Sequence, residues 1–168
     1  DARAVAARLG IPFYAGYYKD DFQKHVIDYF VESYRRGLTP NPCAKCNEHV
    51  KFGLLLRRAE ELGCRYLATG HYARVGRVGG RPRLLRARDS EKDQSYFLFG
   101  LAEEALERVL FPIGDLTKAE VRRLAEEAGL AVAHQPDSQE ICFVPDSGYV
   151  PFLEKRIPPA TAGAIVDT

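Results

Sequence analysis

The sequence predicts an α/β protein: part of a doubly wound parallel sheet with crossover helices, followed by a small, mainly helical segment. Three observations carry this prediction. Strand-like apolar runs alternate with runs of helical period between residues 11 and 70. Glycines and prolines stand where each helix should stop. Beyond Asp89 the strand-like runs cease and helical patterns take over.

Residues 2–9 carry Ala4, Val5 and Leu9 on one helical face and stop at Gly10, a suitable C-cap. IPFYAGYY (11–18) reads as a strand, rich in aromatic and small residues. From Phe22 to Tyr34, the residues Phe22, Val26, Ile27, Phe30, Val31 and Tyr34 recur at helical spacing. Gly37 closes that helix, and the prolines of TPNP prevent its continuation. Phe52 to Leu62 is a further helix stopped by Gly63, and CRYLATG (64–70) a short buried strand. Strand, helix and strand in this order suit a parallel sheet. HYARVGRVGGRPRLLRA reads as a hairpin turning at Gly79-Gly80. Past Asp89, SYFLFGL, EEALERVL and TKAEVRRLAEEAGL read as helices; Thr117 with Glu120 forms a capping box, and Gly129 ends the last. DSQEICFVPD (137–146) is a loop or short extended stretch, and PPATAGAIVDT a linker toward a further domain. The start at Asp1 and the stop at an apolar run read as a piece of a longer protein.

Composition narrows the class. The 168 residues hold one sizeable core or two small ones, with 46% hydrophobic and 28% charged residues. No apolar run approaches the roughly 20 residues needed to span a bilayer, and the first residues lack a signal-peptide core, so a cytoplasmic protein is expected. Lys and Arg number 24 against 23 acids, so global charge does not advertise a nucleic-acid binder. Locally, Arg74, Arg77, Arg81, Arg83, Arg86 and Arg88 cluster without an acid before Asp89. They read equally as phosphate contacts or as a solvated hairpin. The four cysteines, Cys43, Cys46, Cys64 and Cys142, should be reduced in a cytosolic chain, which favours redox chemistry, metal binding or burial over a disulfide framework.

Four segments carry chemistry. TPNPCAKCNEHVKFG (39–53) sets two cysteines three apart in a proline-fixed loop before a helix. Such a CxxC reads as a redox pair, half of a zinc site or part of an iron–sulfur site. Zinc would need two more ligands, with Cys142 one and His49, His71 or Cys64 another. ATGHYAR (68–74) puts Gly70-His71 at the end of a parallel strand, where open α/β sheets bind ligands; a tight turn with a structural His is the simpler alternative. KDQSYFLFGL (92–101) offers a cation and an amide for phosphate or base contacts, or else a polar lead into a core stripe of Tyr96, Phe97 and Leu98. In DSQEICFVPD, Cys142 between Ile141 and Phe143 reads as a buried small hydrophobe or as part of a functional loop. Cys64 is expected to be simply buried.

Taken together, GLTPNPCAKCNEHVKFG, YLATGHYAR, KDQSYFL, FPIGDLTKAEVRRLAEEAGL and DSQEICFVP resemble, in this order, the tRNA-specific 2-thiouridylase family. The resemblance implies an ATP-pyrophosphatase fold of the adenine nucleotide alpha-hydrolase type. It divides the chain into the C-terminal portion of a nucleotide-binding domain (1–89), a helical tRNA-binding domain (90–157) and the linker and first strand of a β-barrel (158–168). It implies ATP-dependent adenylation, with Mg2+, of the C2 oxygen of a tRNA wobble uridine. Sulfur then comes from a cysteine persulfide charged by sulfur-relay proteins. The persulfide cysteine falls on Cys142 and the nucleophilic, resolving cysteine on Cys46, a pair able to form a disulfide. Gly70 matches an ATP-site glycine, Asn41, Pro42 and Cys43 the loop that meets the target base, and Lys92, Asp93 and Gln94 a tRNA-contacting segment.

Two departures follow from the resemblance. Many relatives carry Asp where this chain has Cys43. Cys43, Cys46 and Cys142 would suit three ligands of a [4Fe–4S] cluster, which leaves persulfide and cluster routes both open. The family's pyrophosphate-binding loop and most of its β-barrel fall outside the 168 residues, so this piece is expected to be inactive alone. The rival readings are another ATP-pyrophosphatase, a Zn- or Fe–S-stabilised RNA-binding module without catalysis, and a dithiol oxidoreductase using Cys43 and Cys46.

Overall fold

The structure is a computed structural model that describes residues 1–135 and 141–158. Helix α1 (Ala2–Leu9) ends at Gly10, whose φ of 65° lets its N–H turn back to the carbonyls of Ala6 and Ala7. IPFYAGYY is not a strand, contrary to the expectation above. A strand needs a partner ladder, and among the described residues none pairs with 11–18, where Tyr14 and Tyr17 are exposed.

The predicted helix around Phe22–Tyr34 is a continuous helical run: α2 (Lys19–Phe22), a π-helical stretch (Gln23–Ile27) and α3 (Asp28–Arg35). The next helical run starts ten residues earlier than the sequence suggests. It comprises α4 (Pro42–Lys45), a π-helical stretch (Cys46–Leu55) and α5 (Leu56–Glu61). Local chemistry explains the early start. Pro42 takes the first helical position, where a missing N–H costs nothing, and the Asn41 side chain accepts a hydrogen bond from Ala44 N–H at 3.0 Å. Both cysteines of the CxxC therefore lie within the helix, not in a loop.

Strand β1 (Leu67–Ala68) pairs in parallel with β4 (Val109–Leu110), in register Leu67↔Val109. Helix α6 (Glu103–Leu106) ends two residues before this strand, so only the first half of EEALERVL is helical. The hairpin is as expected: β2 (Ala73–Val78) and β3 (Arg81–Arg86) run antiparallel around Gly79 and Gly80, both with positive φ, the two-residue turn that matches strand twist. Gly114 is required elsewhere, because a Cβ there would collide with the Ala73 carbonyl. A 3-10 turn (Ser95–Leu98) buries Leu98 but leaves Tyr96 exposed, so the expected stripe contributes one fully buried side chain rather than three. Helix α7 (Lys118–Glu127) carries the capping box of Thr117 and Glu120, and α8 (Tyr149–Glu154) ends the described chain's elements.

Two apolar clusters hold these parts. Phe52, Ala73, Leu98, Leu106 and Val109 join the CxxC helix to both sheets. Phe30, Phe152 and Leu153 gather Ile141, Phe143 and Val144 against α3. Each buried Phe contributes roughly 1.5–3 kcal/mol relative to exposure. The described residues contain no helix long and apolar enough to cross a membrane.

Candidate functional site

The two helical runs pack on each other, and the second apolar cluster seats residues 141–144 on the first of them. Phe143 packs edge-on against Phe22 and Phe30, at 5.7 and 5.3 Å between ring centroids. Ile141 and Phe143, the neighbours of Cys142 in the chain, are thus anchors, while Cys142 between them is exposed. The buried-hydrophobe reading fails for Cys142. It fails for Cys64 too, which is exposed just past Gly63, where the chain has left the helix (Gly63 φ 73°) but not yet entered β1.

Cys142 lies within electrostatic reach of both cysteines of the CxxC. Burial pushes the Cys46 thiol up from its ordinary range; the Lys51 ammonium opposes this, and Cys142 and Cys43 add to it. For Cys43, itself exposed as a residue, desolvation again leads, followed by Cys142, with Lys51 opposing. The two thiols of the CxxC and a third, some hundred residues on, therefore share one electrostatic environment. They have the donor chemistry of an iron–sulfur site, but among the described residues no three His, Cys, Asp or Glu side chains converge to hold a metal ion. The thiols therefore do not surround a single ion such as zinc, and no step is derived through a metal.

After β1 come Thr69, Gly70 and His71. Gly70 faces open space, since a side chain added there would meet nothing. His71 Nδ1 is 2.8 Å from Thr69 Oγ1, and His71 Nε2 is 3.4 Å from Lys51 Nζ. An ammonium only donates, so Nε2 is the acceptor and Nδ1–H donates to Thr69. Burial, then the Lys51 charge, lower the His71 pKa to about 4. Between pH 6.5 and about 4 the unfolded chain therefore binds a proton that the folded chain refuses, and stability falls as pH drops through that window. The full loss is on the order of 3 kcal/mol. The His71 ring should stay neutral at pH 5.5 by 15N chemical shifts; titration near 6.5 would refute the assignment.

The 92–94 segment is turned inward. Asp93 accepts from Ala87 N–H, Ser95 N–H and Ser95 Oγ–H at 3.0, 3.2 and 2.9 Å. Gln94 Oε1 accepts from Tyr72 N–H at 3.0 Å while the Gln94 backbone N–H donates to the Tyr72 carbonyl at 2.8 Å. These two side chains fasten the segment, with Lys92 between hairpin and turn, against the residues that follow Gly70. The hairpin arginines are also largely spoken for: Arg74 pairs with Asp115, Arg77 with Glu107, Arg81 and Arg83 with Glu103, and Arg88 with Glu120. The acids that answer this basic cluster lie 20 or more residues further on, which the local charge count missed.

Two residues escaped the sequence reading. Asn47, buried to 3% exposure, donates from Nδ2 to the Phe97 carbonyl at 3.0 Å and ties the CxxC helix to the 92–98 segment. Lys51 ties the same helix to His71. Asn47 was findable as a polar residue among apolar helix positions. Lys51 was not, because at α-helical spacing it falls about 140° around the helix from Cys46. Asn41 and Pro42 cap the helix that presents Cys43, and residues 137–140, part of the DSQEICFVP segment, lie outside the described residues.

Comparison with known proteins follows the same segments. Residues 1–146 match the family described as tRNA methyl transferase HUP domain. The chain is 59% identical over 99% of its length to the tRNA-specific 2-thiouridylase MnmA of Geobacter metallireducens, covering 46% of that protein. It is 51% identical over its full length to the protein of the same name in Symbiobacterium thermophilum, covering 44%. A third such protein, from Geotalea uraniireducens, is 53% identical over 99% of the chain, with 45% covered. The chain thus spans less than half the length of these curated relatives.

Proposed function

The chain belongs to the tRNA methyl transferase HUP-domain family, and from that premise we propose that the full-length protein is an ATP-dependent tRNA-uridine 2-sulfurtransferase acting on the wobble uridine. The observation that supports this most is the common environment of Cys142, Cys46 and Cys43, together with an open glycine after β1. Sulfur transfer to a carbonyl carbon needs a sulfur nucleophile and a second thiol to release it, near an activated oxygen.

The chemistry runs as follows. The uridine O2 attacks the α-phosphorus of ATP; an O–P bond forms and pyrophosphate leaves, its charge shared with Mg2+. The terminal sulfur of a Cys142 persulfide, supplied by a sulfur-relay protein, then attacks C2. The C2–O2 bond breaks and AMP departs with the oxygen and the electron pair. The Cys46 thiolate attacks Cys142 Sγ, the S–S bond breaks toward the transferred sulfur, and a Cys46–Cys142 disulfide remains for an external thiol to reduce. Gly70 gives the nucleotide close backbone approach. Asn41, Pro42 and Cys43 face the base, and Lys92, Asp93 and Gln94 shape the tRNA-contacting segment. The 168 residues contain no glycine-rich phosphate loop, so the piece is inactive by itself.

The test is a single-turnover assay on the anaerobically purified full-length protein, with iron and sulfide content measured alongside. An iron-free protein that forms 2-thiouridine from persulfide and ATP supports the reading. About four irons per chain, with activity lost on their removal, would instead assign Cys43, Cys46 and Cys142 to a [4Fe–4S] cluster. No 2-thiouridine under either condition, or its formation by the 168 residues alone, would overturn the proposal or its claim of inactivity.

A further inference from the structure

Lys51 occupies an unusual position. It is half-buried on the CxxC helix, and among the described residues its polar contact is the neutral His71 ring rather than a carboxylate. A partly desolvated cation without a counter-ion is costly, so such a site favours whatever anion can reach it. The surroundings say where that anion would come from. One side of Lys51 faces the turn after β1, where His71 follows the open backbone of Gly70. Its charge also acts on the thiols of Cys43 and Cys46. The helix geometry enforces this bridging. Hydrogen bonds in the Cys46–Leu55 stretch run five residues back, which brings Lys51 over the turn that holds Cys46.

In the proposed reaction one group must lie between nucleotide and sulfur: the phosphoryl group that joins the adenosine to the base oxygen. We propose that Lys51 binds the phosphoryl oxygens of the adenylated base and offsets the charge that grows there as AMP leaves. When the C2–O2 bond breaks, the phosphodiester monoanion becomes the phosphate monoester of AMP, able to carry a second negative charge. The ammonium meets that added charge without transferring a proton. His71 acts through Lys51 as a positioning residue: its Nε2 acceptor holds the ammonium, and its Nδ1–H is fixed by Thr69.

The inference rests on the sulfurtransferase reading, and its test separates the two. AMP and adenosine binding are measured by calorimetry on the full-length protein and on its Lys51→Met and Lys51→Arg variants. Because a charged hydrogen bond is lost, Lys51→Met should weaken AMP about tenfold or more. Adenosine, which lacks the phosphate, should bind all three proteins alike, and Lys51→Arg should keep most of the AMP affinity. In single turnover, Lys51→Met should slow the cleavage that forms AMP by about a hundredfold at saturating tRNA. Equal weakening of AMP and adenosine would show a merely structural role and overturn the inference, as would unchanged AMP binding. A parent protein that binds neither AMP nor ATP would sink the sulfurtransferase reading and this inference with it.

Discussion

Replacing Cys142 with alanine in the full-length protein is expected to lower 2-thiouridine formation by more than about a thousandfold, since in the proposed reaction this thiol is the one that carries the persulfide to C2. Adenylation does not use this sulfur, so tRNA-dependent pyrophosphate release should continue. Cys46→Ser should fail one step later. Sulfur would join C2 but could not be released from Cys142, leaving tRNA attached to protein through a reducible bond. Nucleoside mass spectrometry and a gel shift reversed by thiol read the two outcomes. A Cys142→Ala protein with activity within tenfold of the parent would remove this cysteine from the chemistry. Cys142 is exposed and lies within electrostatic reach of both thiols of the CxxC helix.

Phe30→Ala should produce the largest loss of stability among single core changes, about 3–5 kcal/mol by truncation of a buried aromatic ring. Phe30 has 0% exposure and meets Tyr34, Phe143 and Phe152 edge-on at 5.0, 5.3 and 6.1 Å. The consequence reaches beyond stability. Phe143 loses its main support, and Cys142 is its neighbour in the chain, so thiolation should fall even at temperatures where the variant stays folded. Urea unfolding reads the first effect. The rate of Cys142 alkylation relative to Cys64 reads the second, and it should change for Cys142 alone. A loss below about 1 kcal/mol would mean that the aromatic cluster does not hold the cysteine segment in place.

Much of this was legible in the residues, for reasons that differ by element. The hairpin was written in Gly79-Gly80, because a two-residue turn with positive φ admits little else. The α7 cap was written in Thr117 and Glu120, whose reciprocal hydrogen bonds depend on local spacing alone. The family's characteristic segments marked the cysteine-bearing stretches before any geometry was at hand. What could not be read was non-local. Residues 11–18 have strand composition, but composition does not supply a neighbouring strand. Val109 pairs with Leu67 across more than forty residues, so no window around EEALERVL reveals that its end is a strand. The inward turn of Asp93 and Gln94 depends on Ala87 and Tyr72, and the neutralised hairpin arginines depend on Glu103, Glu107, Asp115 and Glu120. Residues met only in space decided those cases.

The π-helical stretch from Cys46 to Leu55 has a consequence for insertions and deletions. A wider turn holds one more residue than an α-turn, so it is equivalent to residues inserted into an ordinary helix. Each residue removed would rewind part of the stretch and rotate everything on one side of it by about 100° against the other. Cys43 and Cys46 would swing away from Lys51, while Phe52 and Leu56 would be drawn out of phase with the core they fill. Length is therefore fixed here as tightly as residue identity. Along this helix the chain tolerates exchange of exposed side chains more readily than loss of a single peptide unit.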